Sequence, residues 1–362
     1  MNLPLFLKVL FIHLFAVRIV YASAGSWAYQ QIETDKAWEL ARSRGEKITV
    51  AIVDTGLDLK SPAKLWTNPG ETGLDQQGRD KSSNGLDDDQ NGFIDDVHGW
   101  NFVSNSPHFS DRHGHGTHIA GIISSVAPDA SLMILKYYDP KLSPEQNVQN
   151  TLKAFRYALQ MKAHIINFSG GGPGANLKEE EILVKAEKAN VLLVAAAGND
   201  GMNTDLIRYY PANYPLSNIL SVTALDATRK IPEYGNFGRH TVHLAAPGDQ
   251  IPSQLLFGRQ GEMSGTSQAT AFATGVAALV MSQSDQKPKP AQLIEKLIQS
   301  GSQLETLREK VQASSALNAY RALAMKSSFE SAAGFVFQNE ADWDSNLFTM
   351  PSTLPVKKRL GL

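Results

Sequence analysis

None of the 362 residues is cysteine, so disulfide bonds, thiolate nucleophiles and thiolate metal ligands are all excluded. An excess of one charge is missing too. Lys and Arg number 34 against 36 Asp and Glu, and a net charge of -2 makes no case for nucleic acid or an anionic membrane as partner. Beyond the first two dozen residues, no stretch approaches the roughly 20 apolar residues that span a bilayer. Internal repeats are absent. What is present is an apolar share of 42%, enough for a globular core. The length suits one large or two ordinary domains.

Residues 1–24 read as a secretory signal. Lys8 supplies a thin positive region, Val9 to Tyr21 is mostly apolar, and Ala22-Ser23-Ala24 has the small-x-small form of a cleavage site. His13 and Arg18 interrupt the apolar run, and a charge at mid-bilayer is costly. A cleaved signal is therefore expected, with no stable membrane span after cleavage. The rest divides into a domain at 25–325, with an acidic insertion at about 60–110, and a tail at 326–362. The tail carries Pro351, Pro355 and Lys357-Lys358-Arg359 and has no strong period.

Within the domain, Trp27, Ile32, Ala37, Trp38 and Leu40 suggest a short docking helix. Ile48 to Val53 is a continuous β-branched run, the pattern of a strand buried on both faces. Further strands are expected at 132–137, 164–168, 191–196, 219–225 and 241–246. Helices are expected at 145–162, with Val148, Leu152, Phe155 and Leu159 on one face, and at 177–190, 290–299 and 313–324. Alternating strands and helices imply an α/β fold, a mostly parallel sheet with helices on both faces.

Gly261 to Val280 stands apart. Ala269 to Val280 is apolar on nearly every helical face, as a buried helix is. Ahead of it lie Ser264, Gly265, Thr266 and Ser267, at an end where unpaired N–H groups and the dipole favour negative charge. Thr266 or Ser267 either caps this helix or places a nucleophile at its mouth. Asp54 ends the Ile48–Val53 run, at the strand edge that carries chemistry in open α/β sheets. A turn-forming Asp before Thr55-Gly56 is the plainer reading.

Two stretches invite a metal. Asp87 to Asp96 has the D-x-D-x-N-G opening of a calcium loop. Asp87, Asp89, Asn91, Phe93 and Asp95 are the candidate ligands, Phe93 by position through its backbone oxygen. The closing Glu is missing, His98 stands at its place, and Asp95 or Asp96 would complete the shell. A solvated acidic turn is the alternative. His113, His115 and His118 are spaced by two and three with glycines between, unlike the i, i+4 pair with Glu that binds zinc. One catalytic imidazole at a helix start fits them better.

A Ser hydroxyl needs a base, and an imidazole base needs a carboxylate to fix its tautomer. Asp54, His115 and Ser267 supply all three, provided that the fold brings them together. The segments Ile52-Val53-Asp54-Thr55-Gly56, His115-Gly116-Thr117-His118-Ile119-Ala120-Gly121 and Gly265-Thr266-Ser267-Gln268-Ala269 resemble the three signature motifs of subtilisin-like serine proteases, the subtilases. Their order, Asp then His then Ser, is the subtilisin order. Asn236-Phe237-Gly238 and Ala245-Ala246-Pro247-Gly248 also resemble subtilase segments.

The resemblance covers roughly residues 26–325 and implies a subtilisin-like three-layer fold. It assigns orientation to Asp54, general base to His115, nucleophile to Ser267 and oxyanion stabilisation to Asn199. It also implies that Ser169, Gly170, Gly171, Ala197 and Gly198 bind extended substrate backbone. The family often has Leu at the position of Gly170, and Tyr209 is bulky where the wall of the primary pocket is expected. Many members carry a long propeptide. Here the catalytic domain begins within a few residues of Ala24, so maturation without removal of a large N-terminal domain is expected. The expected protein is a monomeric, calcium-bearing serine endopeptidase acting on polypeptides. It is expected to be secreted, extracellular or periplasmic.

Overall fold

The computed structural model describes residues 26–283 and 286–325. The expected signal and tail both lie outside the described residues. The chain opens with α1 (Ser26–Gln31) and α2 (Thr34–Leu40). These are two short helices rather than one, because Glu33 between them turns into the left-handed region at φ 56°. Next come β1 (Thr49–Asp54), β2 (Gly99–Asn101), α3 (His115–Val126), β3 (Ser131–Lys136), α4 (Pro144–Gln160) and β4 (Ile165–Phe168). After them lie α5 (Leu177–Lys188), β5 (Leu192–Ala196), β6 (Ile219–Leu225), β7 (Leu244–Pro247), β8 (Ile251–Gln254) and β9 (Gln260–Met263). The domain closes with α6 (Thr266–Met281), α7 (Pro290–Ser300), β10 (Ser302–Gln303), β11 (Ser315–Ala316) and α8 (Ala319–Ala324).

Nine strands form one sheet in the order β10-β11-β7-β6-β5-β4-β1-β3-β2, and only the β10–β11 pair is antiparallel. β1 divides its side chains between two cores. Val50 and Ile52 join a cluster with α3 and α6, while Ala51 and Val53 join one with α4 and α5. A strand buried on both faces must be apolar at every position, as the β-branched run is. The result is three layers, helix on sheet on helix.

The chain passes from β1 to β2 and β3 on one side, then crosses to β4 on the other. Such a reversal of strand order opens a crevice at the carboxyl ends of the strands. Asp54 ends β1, Ser169 to Gly171 follow β4, and Ala197 to Asn199 follow β5, so all three arrive at one edge.

Several local expectations change. The 313–324 helix shrinks to α8, because Ser315 and Ala316 are drawn into the sheet edge and Leu317 N–H donates to the Ala245 carbonyl. Val148 is 39% exposed. The buried face of α4 runs through Asn147 instead, whose amide exchanges hydrogen bonds with the backbone of Asp139 and turns Val148 outward. The 60–110 insertion is not all loop. It supplies edge strand β2, and Phe93 packs edge-on against Trp100 and Tyr157 at 5.1 and 4.9 Å between ring centroids. The β8–β9 hairpin, mostly polar and with no long alternation, was not anticipated.

Candidate active site

α6 sets the frame. All 16 of its residues are buried. Thr274 on α6 donates to Asn167 Oδ1 on β4 at 2.8 Å, a buried bond that fixes helix against sheet. Ser267 therefore sits at the second position of a rigid helix, where its backbone N–H has no partner within the helix.

His115 opens α3. Its Nδ1 donates to Asp54 Oδ1 at 2.8 Å and Oδ2 at 3.0 Å. A carboxylate only accepts, so Nδ1 carries the proton and Nε2 keeps its lone pair. Burial alone would push this imidazole down. The charge of Asp54, its hydrogen bond, and Asp111 further off outweigh burial and hold the pKa above its ordinary value. Close approach makes the geometry possible, since a Cβ at Gly116 would lie 2.3 Å from the Gly56 carbonyl oxygen.

A residue missed in the sequence builds this turn. Buried Asp111 accepts from the backbone of His113, Gly114 and Thr117 at 2.8 to 3.0 Å, and from the hydroxyls of Thr55 and Thr117. Thr55 Oγ1 in turn accepts from Gly116 N–H at 2.9 Å. The only sequence signal was an Asp three residues before Gly114, which reads as an ordinary turn.

The remaining histidines serve structure. His118 is fully buried, its Nε2 donates to the Ile251 carbonyl at 2.9 Å, and burial pushes its pKa down to about 4. His115 and His118 are thus committed to separate oxygen partners rather than to a shared ion.

Opposite His115 stands Asn199. Its Oδ1 accepts from Thr266 N–H at 2.8 Å and from Thr266 Oγ1 at 3.0 Å. A backbone N–H can only donate, so the amide oxygen must face Thr266 and the NH2 group is free to face a ligand. Thr266 Oγ1 also accepts from Gly198 N–H at 3.2 Å, which holds the Ala197–Asn199 turn. Ser267 Oγ donates to the Ser169 carbonyl at 3.2 Å in this state. The backbone groups of Gly170 and Gly171 make no hydrogen bond among the described residues. They leave an edge open to an added strand.

The acidic insertion gathers a different set from the one expected. Glu71, Asp87 and Asp89 bring one carboxylate oxygen each within 4.8 Å of one another. Asn91 Oδ1 accepts from Phe93 N–H, Asp95 Oδ1 accepts from Gly85 N–H, and the Phe93 side chain lies in the aromatic cluster. Asp96 is held by Tyr157, Asn68 and Asn91. Glu71, outside the motif, is fully buried. Its Oε1 accepts from Asp88 N–H at 2.8 Å, while buried Oε2 has no partner. An orphaned carboxylate oxygen facing two more carboxylates suits a hard cation.

Comparison with known proteins agrees with this geometry. The Subtilase family profile matches residues 45–322. The major intracellular serine protease of Bacillus subtilis (strain 168) is 30% identical over 251 residues, 66% of this chain and 70% of that protein. Thermitase of Thermoactinomyces vulgaris is 31% identical over 273 residues, 73% and 84% of the two chains. Among solved structures, a lanthipeptide protease superposes with a TM-score of 0.64 at 25% identity, covering 83% of this chain and 93% of that one.

Proposed function

The chain belongs to the subtilase family of serine peptidases, and from that premise we propose that it is a secreted endopeptidase working through Asp54, His115 and Ser267. One observation carries the assignment: His115 donates from Nδ1 to both oxygens of Asp54, leaving Nε2 as a base on the α3 side of the crevice. Ser267 enters that crevice from the mouth of α6.

Extended substrate adds as a strand along Gly170 and Gly171, with Ala197 and Gly198 on the facing side. The Ser267 hydroxyl leaves the Ser169 carbonyl and passes its proton to His115 Nε2 as Oγ attacks the scissile carbon. The oxygen of that carbonyl becomes negative and is met by the Asn199 NH2 and the Ser267 N–H. One such side-chain donor in the related subtilisin is worth roughly 3–4 kcal/mol, a magnitude adopted from that enzyme. His115 then protonates the departing amine, and the C–N bond breaks to leave an acyl ester on Ser267. Water, deprotonated by His115, releases the acid. Asp54 keeps its charge throughout and steadies the imidazolium.

Residues 1–24 support placement outside the cytoplasm. One of the similar proteins is named as intracellular, so the placement rests on that segment alone. No helix among the described residues is long and apolar enough to cross a membrane. Calcium is proposed as a structural ion, held by Glu71, Asp87 and Asp89, where its charge would offset three clustered carboxylates.

A serine-directed fluorophosphonate tests the reading. The wild-type protein is expected to label, and Ser267→Ala to lose all labelling while keeping its circular dichroism spectrum. A folded wild type that does not label would sink the peptidase assignment.

A further inference from the structure

The gap beside the nucleophile is filled by one of the protein's own rings. Gly171 and Gly198 stand on the two segments that flank this gap, one after β4 and one after β5. A Cβ placed on Gly171 would lie 2.5 Å from Tyr209 Cε1, and one placed on Gly198 would lie 2.9 Å from Tyr209 Cε2. Opposite edges of a single phenol ring thus press on both backbones. Neither glycine tolerates a side chain while the ring is there.

The ring is held from behind. Tyr209 N–H donates to Asn213 Oδ1 at 2.8 Å. Tyr210 and Gly172 exchange backbone hydrogen bonds at 2.7 and 2.9 Å, tying the Tyr209 segment to the substrate edge itself. Tyr209 is half-buried.

Consider the residue whose carbonyl is attacked, on the peptidase reading above. Its oxygen faces Asn199, and its backbone pairs along the Ser169–Gly171 edge. In an extended strand the side chain stands off that backbone. Two directions are left for it, outward to solvent or down into the gap between the two glycine segments. The gap is the direction that buries apolar surface, and Tyr209 occupies it. A methyl or hydrogen fits above the ring; a benzyl group does not.

We infer that Tyr209 is a specificity-determining residue, closing the pocket for the side chain preceding the cleaved bond and restricting cleavage to the carboxyl side of Gly, Ala or Ser. The inference rests on the peptidase reading and names its substrate class. Differences of this size in pocket fit are worth about 10–200-fold in kcat/KM.

The test uses internally quenched peptides that differ only in the residue before the scissile bond. Wild type is expected to cleave after Ala at least tenfold faster, in kcat/KM, than after Phe. Tyr209→Ala is expected to raise the Phe-to-Ala ratio by tenfold or more. Tyr209→Leu, which keeps bulk in the gap, moves the ratio the same way by a smaller factor and stands in if Tyr209→Ala fails to fold. Equal cleavage after Phe and Ala in wild type, or an unchanged ratio in a variant that still labels with fluorophosphonate, would overturn the inference. Wild type that neither labels nor cleaves overturns the peptidase reading, and this inference with it.

Discussion

Asp111 touches no substrate in the proposed reaction, yet five hydrogen bonds converge on its two carboxylate oxygens. They fix the start of α3 and so the direction of the His115 ring. Burial opposes the charged carboxylate, but the hydrogen bonds from Gly114, Thr117 and His113 prevail and hold its pKa below the ordinary value. Asp111→Asn keeps the size but swaps one accepting oxygen for an NH2 that faces donors, leaving buried N–H groups unpaired. It is expected to lower kcat about ten- to a hundredfold with KM little changed, and to slow fluorophosphonate labelling by a similar factor. A fall in melting temperature alone, with both kinetic constants intact, would make Asp111 merely structural. Asp54, by contrast, was legible from the sequence, because a β-branched run ending in Asp-Thr-Gly specifies both a strand and its exit. Asp111 was not legible, since its five partners come from three places along the chain and meet only in the fold.

At the scale of elements, two strands begin in the same way. His164 precedes β4, donates from its backbone N–H to the Thr49 carbonyl at 2.9 Å, and accepts Thr49 N–H at its ring Nδ1 at 3.0 Å. His243 precedes β7 and repeats the arrangement with Ser221, at 3.0 and 2.9 Å. Each clamp needs an unprotonated Nδ1. Burial pushes both histidines down to about 4, against about 6.5 for a free imidazole. Between those values the unfolded chain binds more protons than the folded one. Stability is therefore full above about pH 6.5 and drains away as pH falls through 4, by about 1–3 kcal/mol per clamp. The melting temperature of wild type is expected to drop between pH 7 and pH 4.5, and a His164→Gln, His243→Gln double variant to drop less. Equal slopes for the two proteins would count against the clamps. The strands themselves were readable because central parallel strands are apolar throughout. The closing pieces β10 and β11 were not, since two-residue edge strands built from Ser, Gln and Ala carry no period.

For the molecule as a whole, the acidic insertion is the part whose chemistry the sequence announced and whose ligands it named incompletely. The D-x-D-x-N-G spacing pointed to Asp87 and Asp89 but not to Glu71, which lies 16 positions upstream of Asp87 and joins them only because the insertion folds back through Asn68, Asp96 and Tyr157. A bound ion at a hundredfold excess over its Kd stabilises by about 2.7 kcal/mol. Chelation of wild type is expected to lower the melting temperature by about 5–10 °C. Glu71→Gln should melt at the chelated wild-type temperature and respond little to added calcium. Full calcium response in Glu71→Gln would remove Glu71 from the site.

The two ends of the domain are stitched to each other. Ala319 N–H at the start of α8 donates to the Ile32 carbonyl in α1–α2, and Asn318 donates to Glu33 at 2.8 Å. Asp54 comes off the ribosome early, Ser267 late, and the seam that closes the domain last of all. The proposed active centre is therefore a late product of synthesis: for most of the time that the polypeptide is being made, a peptidase tethered to its own unfolded chain has no assembled means of cutting it.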